Sequence, residues 1–158
     1  SGLLAMRLQV LPIWGLALGS LALVTGCMGG EPLHRFTFSP EAIKPGETTL
    51  PLRKGERLQF WNSLDVTYKP GTELVFKIGI TPKDSGEASQ VICDALDPSV
   101  TFMSRTVESP SRISQSWKQA RMRCSFGPVA TTQTFNITAL PVASAPMQAE
   151  RLSLELKR

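Results

Sequence analysis

The chain has 158 residues, of which 42% are hydrophobic and 19% are charged, and its formal net charge is +4. That length is enough for one domain with a buried core. The modest positive excess is compatible with an anionic lipid, a glycan or an acidic partner. It is too weak to argue for nucleic acid as a partner.

The N-terminal segment has the layout of a secretory signal. Met6-Arg7 forms a short positively charged start, and the run from Leu8 to Val24 carries no charge. Residues 1–5 precede the predicted start at Met6 and are excluded from reasoning about the fold. We predict that residues 1–26 are a signal peptide.

An uncleaved membrane helix is the alternative for this segment. The run from Leu8 to Gly26 comes close to the roughly 20 residues that span a bilayer. Against a permanent span, Gln9, Pro12 and Gly15 interrupt the apolar run, and no positively charged stop follows it. The cleaved signal is therefore favoured.

The signal ends in Leu23-Val24-Thr25-Gly26-Cys27, which resembles the lipobox of bacterial lipoproteins. The resemblance implies that signal peptidase II cleaves before Cys27 and that lipid, palmitate included, is attached to this cysteine. No other cofactor is expected. Because Met28 stands where Asp would retain the protein, the family's sorting rule implies the outer membrane, on its periplasmic face. Residues 27–32 are then a lipidated leader, and residues 33–158 a single domain.

The two remaining cysteines, Cys93 and Cys124, are expected to form a disulfide, because an exported protein meets an oxidising compartment. The bond would close a loop of about 30 residues and contribute roughly 3–4 kcal/mol. Two free buried thiols are the alternative. No metal site is predicted, because two cysteines and the single His34 do not supply three or four soft ligands.

From Leu33 onward the hydrophobic residues recur with a period of two, which predicts β-strands. The clearest example is the run Leu74, Phe76, Ile78 and Ile80. Lys69-Pro70-Gly71-Thr72 before it predicts a type II turn, because Gly tolerates the positive φ at the third position. The strand signals lie at 33–38, 50–52, 58–60, 65–68, 74–80, 90–96, 100–102, 122–126, 133–140 and 152–156.

Two details of the pattern bear on the faces of the sheets. Trp61 falls out of phase with Phe60, so it is predicted to point away from the core, either packed at an edge or exposed. At the C-terminus, leucines alternate with Ser153, Glu155 and Lys157, which predicts an amphipathic strand with one solvated face.

A series of short strands without a convincing helix favours an all-β fold, a small β-sandwich with one disulfide. A closed β-barrel is the alternative, because periodicity does not separate the two. The term immunoglobulin-like describes only the architecture of this fold. Cys93 and Cys124 are too close in sequence for true immunoglobulin spacing, and Trp117 lies just before the second cysteine.

No catalytic residue is assigned, and an enzyme is not favoured. His34 is the only histidine and has no triad partner nearby, and the common nucleophile and metalloprotease motifs are absent from the sequence. Asp94, Asp97 and Glu108 could in principle act as paired carboxylates. The simpler interpretation is that Asp94 caps the end of a strand, Asp97 begins a turn and Glu108 is a solvated charge.

Residues 104–120 form a polar, serine-rich segment that is the best candidate for a partner-binding loop. Arg105 and Arg112 could pair with carboxylate or phosphate, and Trp117 could anchor a partner. In the alternative, Trp117 packs over the disulfide and the serines are solvated.

Two functions remain open. The first is a non-enzymatic docking subunit of an envelope secretion or transport complex, a layout similar to the lipoprotein of type VI secretion membrane complexes. The second is a lipoprotein inhibitor or a ligand- or glycan-binding module, similar to periplasmic lysozyme inhibitors. A flat exposed sheet edge would favour docking, a protruding rigid loop at 104–120 would favour inhibition, and a pocket gathering the three acids would favour an enzyme. The oligomeric state is not predicted.

Overall fold

The computed structural model describes residues 30–158, so the signal segment and Cys27 lie outside the described residues. The described chain forms ten strands and no helix. The strands are β1 (His34–Thr37), β2 (Gly46–Leu52), β3 (Leu58–Tyr68), β4 (Leu74–Pro82), β5 (Ser89–Asp94), β6 (Val100–Phe102), β7 (Arg105–Glu108), β8 (Ile113–Phe126), β9 (Gln133–Ala143) and β10 (Gln148–Lys157). Residues 30–158 accordingly contain no helix that could cross a bilayer.

The strands make two sheets, all of whose pairings are antiparallel. One is six-stranded, with order β1-β10-β3-β8-β6, and β7 also pairs with β8. The other is four-stranded, with order β2-β9-β4-β5. The two sheets are not closed into a barrel, so the predicted all-β sandwich is confirmed and the barrel alternative is wrong.

The core lies between the sheets and is built from alternate residues of the long strands. Phe60 and Leu64 on β3 and Phe76 and Ile78 on β4 are fully buried. Each such side chain contributes roughly 1.5–3 kcal/mol by leaving water. The turn before β4 is also as predicted, because Gly71 has a φ of 87° and the Thr72 N–H donates to the Lys69 carbonyl at 3.1 Å.

The disulfide between Cys93 and Cys124 is confirmed, with its two Cα atoms 5.4 Å apart. Cys93 lies on β5, an edge strand of the four-stranded sheet, and Cys124 lies on β8 of the other sheet. The bond therefore joins the two sheets covalently along one side of the sandwich.

The structure corrects three expectations about the elements. The two short strands predicted around 58–60 and 65–68 are one strand, β3. Residues 104–120 are not a long loop but β7, a short turn and the first half of β8. Their polar sequence forms strand because β8 pairs with β3 on one side and with β6 and β7 on the other, which satisfies its backbone groups.

The third correction concerns β10, which has no solvated face at its C-terminal end. Ser153, Glu155 and Lys157 are 6%, 1% and 4% exposed, although they point away from the core. Trp61 on the neighbouring strand β3 points away from the core as predicted, but it is only 4% exposed and lies on an interior strand, so it is neither exposed nor packed at an edge. These four residues belong to the outer face of the six-stranded sheet.

Replacing both Cys93 and Cys124 with Ala should lower the free energy of unfolding by about 3–4 kcal/mol, because the disulfide closes a loop with a sequence separation of 31. Urea denaturation measures the loss. A reductant should shift the wild-type midpoint towards that of the variant and leave the variant unchanged. An unshifted wild-type midpoint would contradict the stabilising role of the bond.

Candidate functional site

The structure places Arg105 and Arg112 on the surface at opposite ends of β7, and it buries Trp117. Arg105 lies on β7 and Arg112 in the turn that joins β7 to β8, and both are exposed. The Ser109 N–H donates to the Arg112 carbonyl at 2.8 Å, which closes this turn. Trp117 is 3% exposed and belongs to the core, so it is not available as a surface anchor.

Trp117 instead takes part in a buried polar bridge between the sheets. Its indole Nε1 donates to Oδ1 of Asn62, which is fully buried, and Nδ2 of Asn62 donates to the Ala95 carbonyl at 3.3 Å. The Ala95 N–H in turn donates to the Leu74 carbonyl of β4. Both the oxygen and the nitrogen of the Asn62 amide therefore have a hydrogen-bond partner, which offsets the cost of burying this polar group. The sequence pattern gave no signal for Asn62.

Strands β6 and β7 form one interrupted edge, which we call the β6–β7 edge (residues 100–108). Val100 pairs with Arg121 and Arg105 pairs with Ser116, so both strands keep a single register along β8. The interruption falls at Met103, whose φ of 54° is unusual for a residue with a side chain. Among residues 30–158, no strand pairs with the far side of this edge.

The β6–β7 edge also carries apolar side chains in solvent. Val100, Met103 and Val107 are 40%, 73% and 52% exposed. Ile92, on the β5 edge that the disulfide ties to β8, is 56% exposed. Because residues directly opposite each other lie on the same face of a sheet, Arg105 and Val107 share the outer face with their partners Ser116 and Ser114.

The centre of the same outer face is a buried ionic network. The Glu155 carboxylate accepts hydrogen bonds from Arg35 Nε at 2.7 Å and Gln119 Nε2 at 3.1 Å, and it pairs with Lys157 Nζ at 3.5 Å. The same Nζ lies 4.3 Å from the ring centroid of Trp61. These cations and donors compensate a carboxylate that would be costly to bury alone.

A cavity of about 230 Å³ lies where β3 ends and β10 begins. Lys69 and Arg112 contribute positive charge to its wall, and Tyr68 and Met147 contribute apolar surface. The Tyr68 hydroxyl donates to Oε1 of Gln115 at 2.8 Å. Burial raises the pKa of Tyr68 above its ordinary value, and the negative charges of Glu108 and Asp94 raise it further.

Two of the three acids considered for catalysis, Asp94 and Asp97, have structural partners. Asp94 Oδ1 accepts the Leu96 N–H at 3.0 Å, as expected at a strand end, and Asp97 pairs with Arg123 at 3.5 Å. The His34 ring packs edge-on against Phe36, with centroids 4.5 Å apart. Within residues 30–158, no group of three or more His, Cys, Asp or Glu side chains is arranged to hold a metal ion.

Comparison with known proteins gives no relative: no protein-family model, curated protein or solved structure matches the chain.

Tyr68 is the only tyrosine, so ultraviolet absorbance of the phenolate reports its ionisation alone. We expect its pKa in the folded protein to lie above the value of about 10 found in denaturant. Since the folded pKa is the higher one, the contribution to stability is complete below the unfolded pKa and is lost as the pH rises through the folded pKa. Glu108→Gln should lower the folded pKa, and equal values in the two states would contradict the prediction.

Proposed function

We propose that this chain is a lipid-anchored lipoprotein of the outer membrane, facing the periplasm, and that it acts as a non-enzymatic docking subunit of a cell-envelope complex. Its site for the partner protein is the β6–β7 edge. The lipobox at Leu23–Cys27 supports the anchor. The free, partly apolar sheet edge supports docking, and it is the observation that carries the proposal.

An extended segment of the partner is the ligand that fits this edge. Main-chain hydrogen bonds to the free side of a sheet supply affinity, and alternate side chains supply specificity. Here Val100 and Val107 offer apolar contacts, and Arg105 between them offers a charge for a carboxylate. An acidic residue flanked by apolar residues is therefore the expected sequence of the partner strand.

The interruption at Met103 supports a specific partner over indiscriminate pairing. Native proteins break the regularity of exposed edges to discourage edge-to-edge aggregation. A left-handed backbone at Met103 costs free energy, and such strain tends to persist where function needs it. The interruption at Met103 divides the edge into two short strands. Only a partner whose backbone matches this interruption would pair with both strands at once.

A ligand- or glycan-binding module is the second candidate, and the cavity beside Tyr68 favours it. Lys69 and Arg112 could bind an anionic group while Tyr68 and Met147 contact an apolar one. The inhibitor version of this candidate is less well supported. The segment 104–120 lies along the sheet as strands β7 and β8 instead of protruding as a loop.

Lipidation is tested by metabolic labelling with a tagged palmitate. The wild-type chain should take up the label at Cys27, and Cys27→Ala should take up none, because no other position carries a lipobox. Cys93→Ala serves as the control for loss of a cysteine and should remain labelled. Equal labelling of wild type and Cys27→Ala would remove the anchor from the proposal.

Docking is tested by affinity capture from detergent-solubilised cells of the source organism. We expect one envelope protein to be captured by wild type and lost in the double variant Met103→Lys, Val107→Lys, because charged side chains would be buried at the contact. Ile43→Lys is the control for an added lysine at an exposed apolar position. Ile43 is 42% exposed but lies outside the edge, so this variant should retain the partner.

All three proteins must have the same melting temperature for the comparison to hold. If the double variant captures the same protein as wild type, the β6–β7 edge is not the site. If wild type captures no protein, docking gives way to the ligand-binding candidate, and a screen of glycans and anionic ligands against Arg112→Ala becomes the next measurement.

A further inference from the structure

The outer face of the six-stranded sheet contains a hollow of about 240 Å³, distinct from the β6–β7 edge. Four strands contribute to it: β1, β3, β8 and β10. Its wall combines the cations Arg35, Lys118 and Arg151 with the hydroxyls of Thr37, Ser63 and Ser153. We propose that this hollow binds a phosphate group.

Arg151 is held in place before any ligand arrives. Its Nε donates to Ser63 Oγ at 2.9 Å, and its Nη2 donates to the carbonyls of Leu64 and Trp117 at 3.2 and 3.1 Å. A guanidinium has five N–H donors, so the hydrogens of Nη1 remain for a ligand. Among residues 30–158, no carboxylate forms an ion pair with Arg151, although Asp65 is its partner across the strands. A guanidinium that is held in place and makes no ion pair with the described residues is arranged to bind an anion from outside.

The single carboxylate in the hollow, Glu155, is already neutralised. Its oxygens are occupied by Arg35 and by the Gln119 amide, and its side chain is only 2% exposed. Lys118 is exposed at the rim and makes no ion pair with the described residues. With Arg35 already paired to Glu155, the remaining cations Lys118 and Arg151 leave the open side of the hollow positive.

Phosphate fits this arrangement better than carboxylate does. A phosphate offers at least two charged oxygens that different cations can approach from several directions, and it accepts further hydrogen bonds from hydroxyls. The planar fork of one arginine would suffice for a carboxylate. Here cations come from three strands, and the hydroxyls of Thr37 and Ser153 line the same space, while the Ser63 hydroxyl donates to the Trp117 carbonyl at 3.5 Å.

The phosphate could belong to a lipid headgroup or to a soluble compound. Thr37 and Arg35 lie on β1, close in sequence to Cys27, so a membrane surface is near if the lipid anchor proposed above is present. The lipid source rests on that anchor. Phosphate binding itself rests only on the hollow. The phosphate site can therefore fail while the lipid anchor and the docking edge stand, and the reverse also holds.

The test follows the Arg151 Nε–H resonance by NMR with the full mature chain in neutral detergent micelles. Inorganic phosphate is titrated in one arm and phosphatidylglycerol in the other. Lys118→Gln should weaken binding by about tenfold, the loss of one charge-assisted contact. Lys77→Gln is the matched control, because it removes the same charge from the outer face of the four-stranded sheet and should bind like wild type.

Saturable shifts in either arm, weakened by Lys118→Gln and not by Lys77→Gln, support the site, and the arm that responds at the lower concentration identifies the source. Binding that falls equally in both variants would reflect net charge alone and overturn the proposal. Absence of saturable shifts in both arms would overturn it as well.

Discussion

The pairing of β8 with its neighbours is the constraint on which the rest of the molecule depends. Along one side β8 follows β3, and this places Trp117 against Asn62 and Lys118 beside the hollow. Along the other side it holds β6 and β7 in a single register, which creates the β6–β7 edge. Near its C-terminal end it carries Cys124 and so ties the two sheets together. A polar, serine-rich segment thus organises both candidate surfaces.

The two surfaces lie on the same outer face of the six-stranded sheet. The hollow extends from β1 to β8, and β8 is the strand that pairs with β6 and β7. Phe102 of β6 lies opposite Gln119, which lines the hollow, so the hollow reaches to within one strand spacing, about 4.8 Å, of the β6–β7 edge. A phosphate in the hollow and a partner strand on the edge would therefore be close neighbours.

The alternation of apolar and polar residues predicted the strands that have one face in the core and one face in solvent. Leu74 to Ile80 is predicted as a strand because every second residue is apolar and enters the core. The pairing of Cys93 with Cys124 follows from the number of cysteines and the expected oxidising compartment. The N-terminal half of β8 could not be recognised, because its outward residues are polar and its pairing is non-local; only the strand signal at 122–126 marked its C-terminal part. Glu155 looked solvated for the same reason: its partner Arg35 is 120 residues away in sequence. The edge at Met103 depends on a backbone angle that no side-chain pattern encodes.

The pairing of the first strand with the last has a consequence for the timing of folding. Phe36 on β1 lies opposite Leu154 on β10, so nearly the whole described chain must be present before the six-stranded sheet can be completed. Because loop closure must precede such non-local contacts, sheets of this kind form slowly, over milliseconds to seconds. Completion of the six-stranded sheet must therefore wait until β10 has been synthesised, whereas the four-stranded sheet does not depend on that strand.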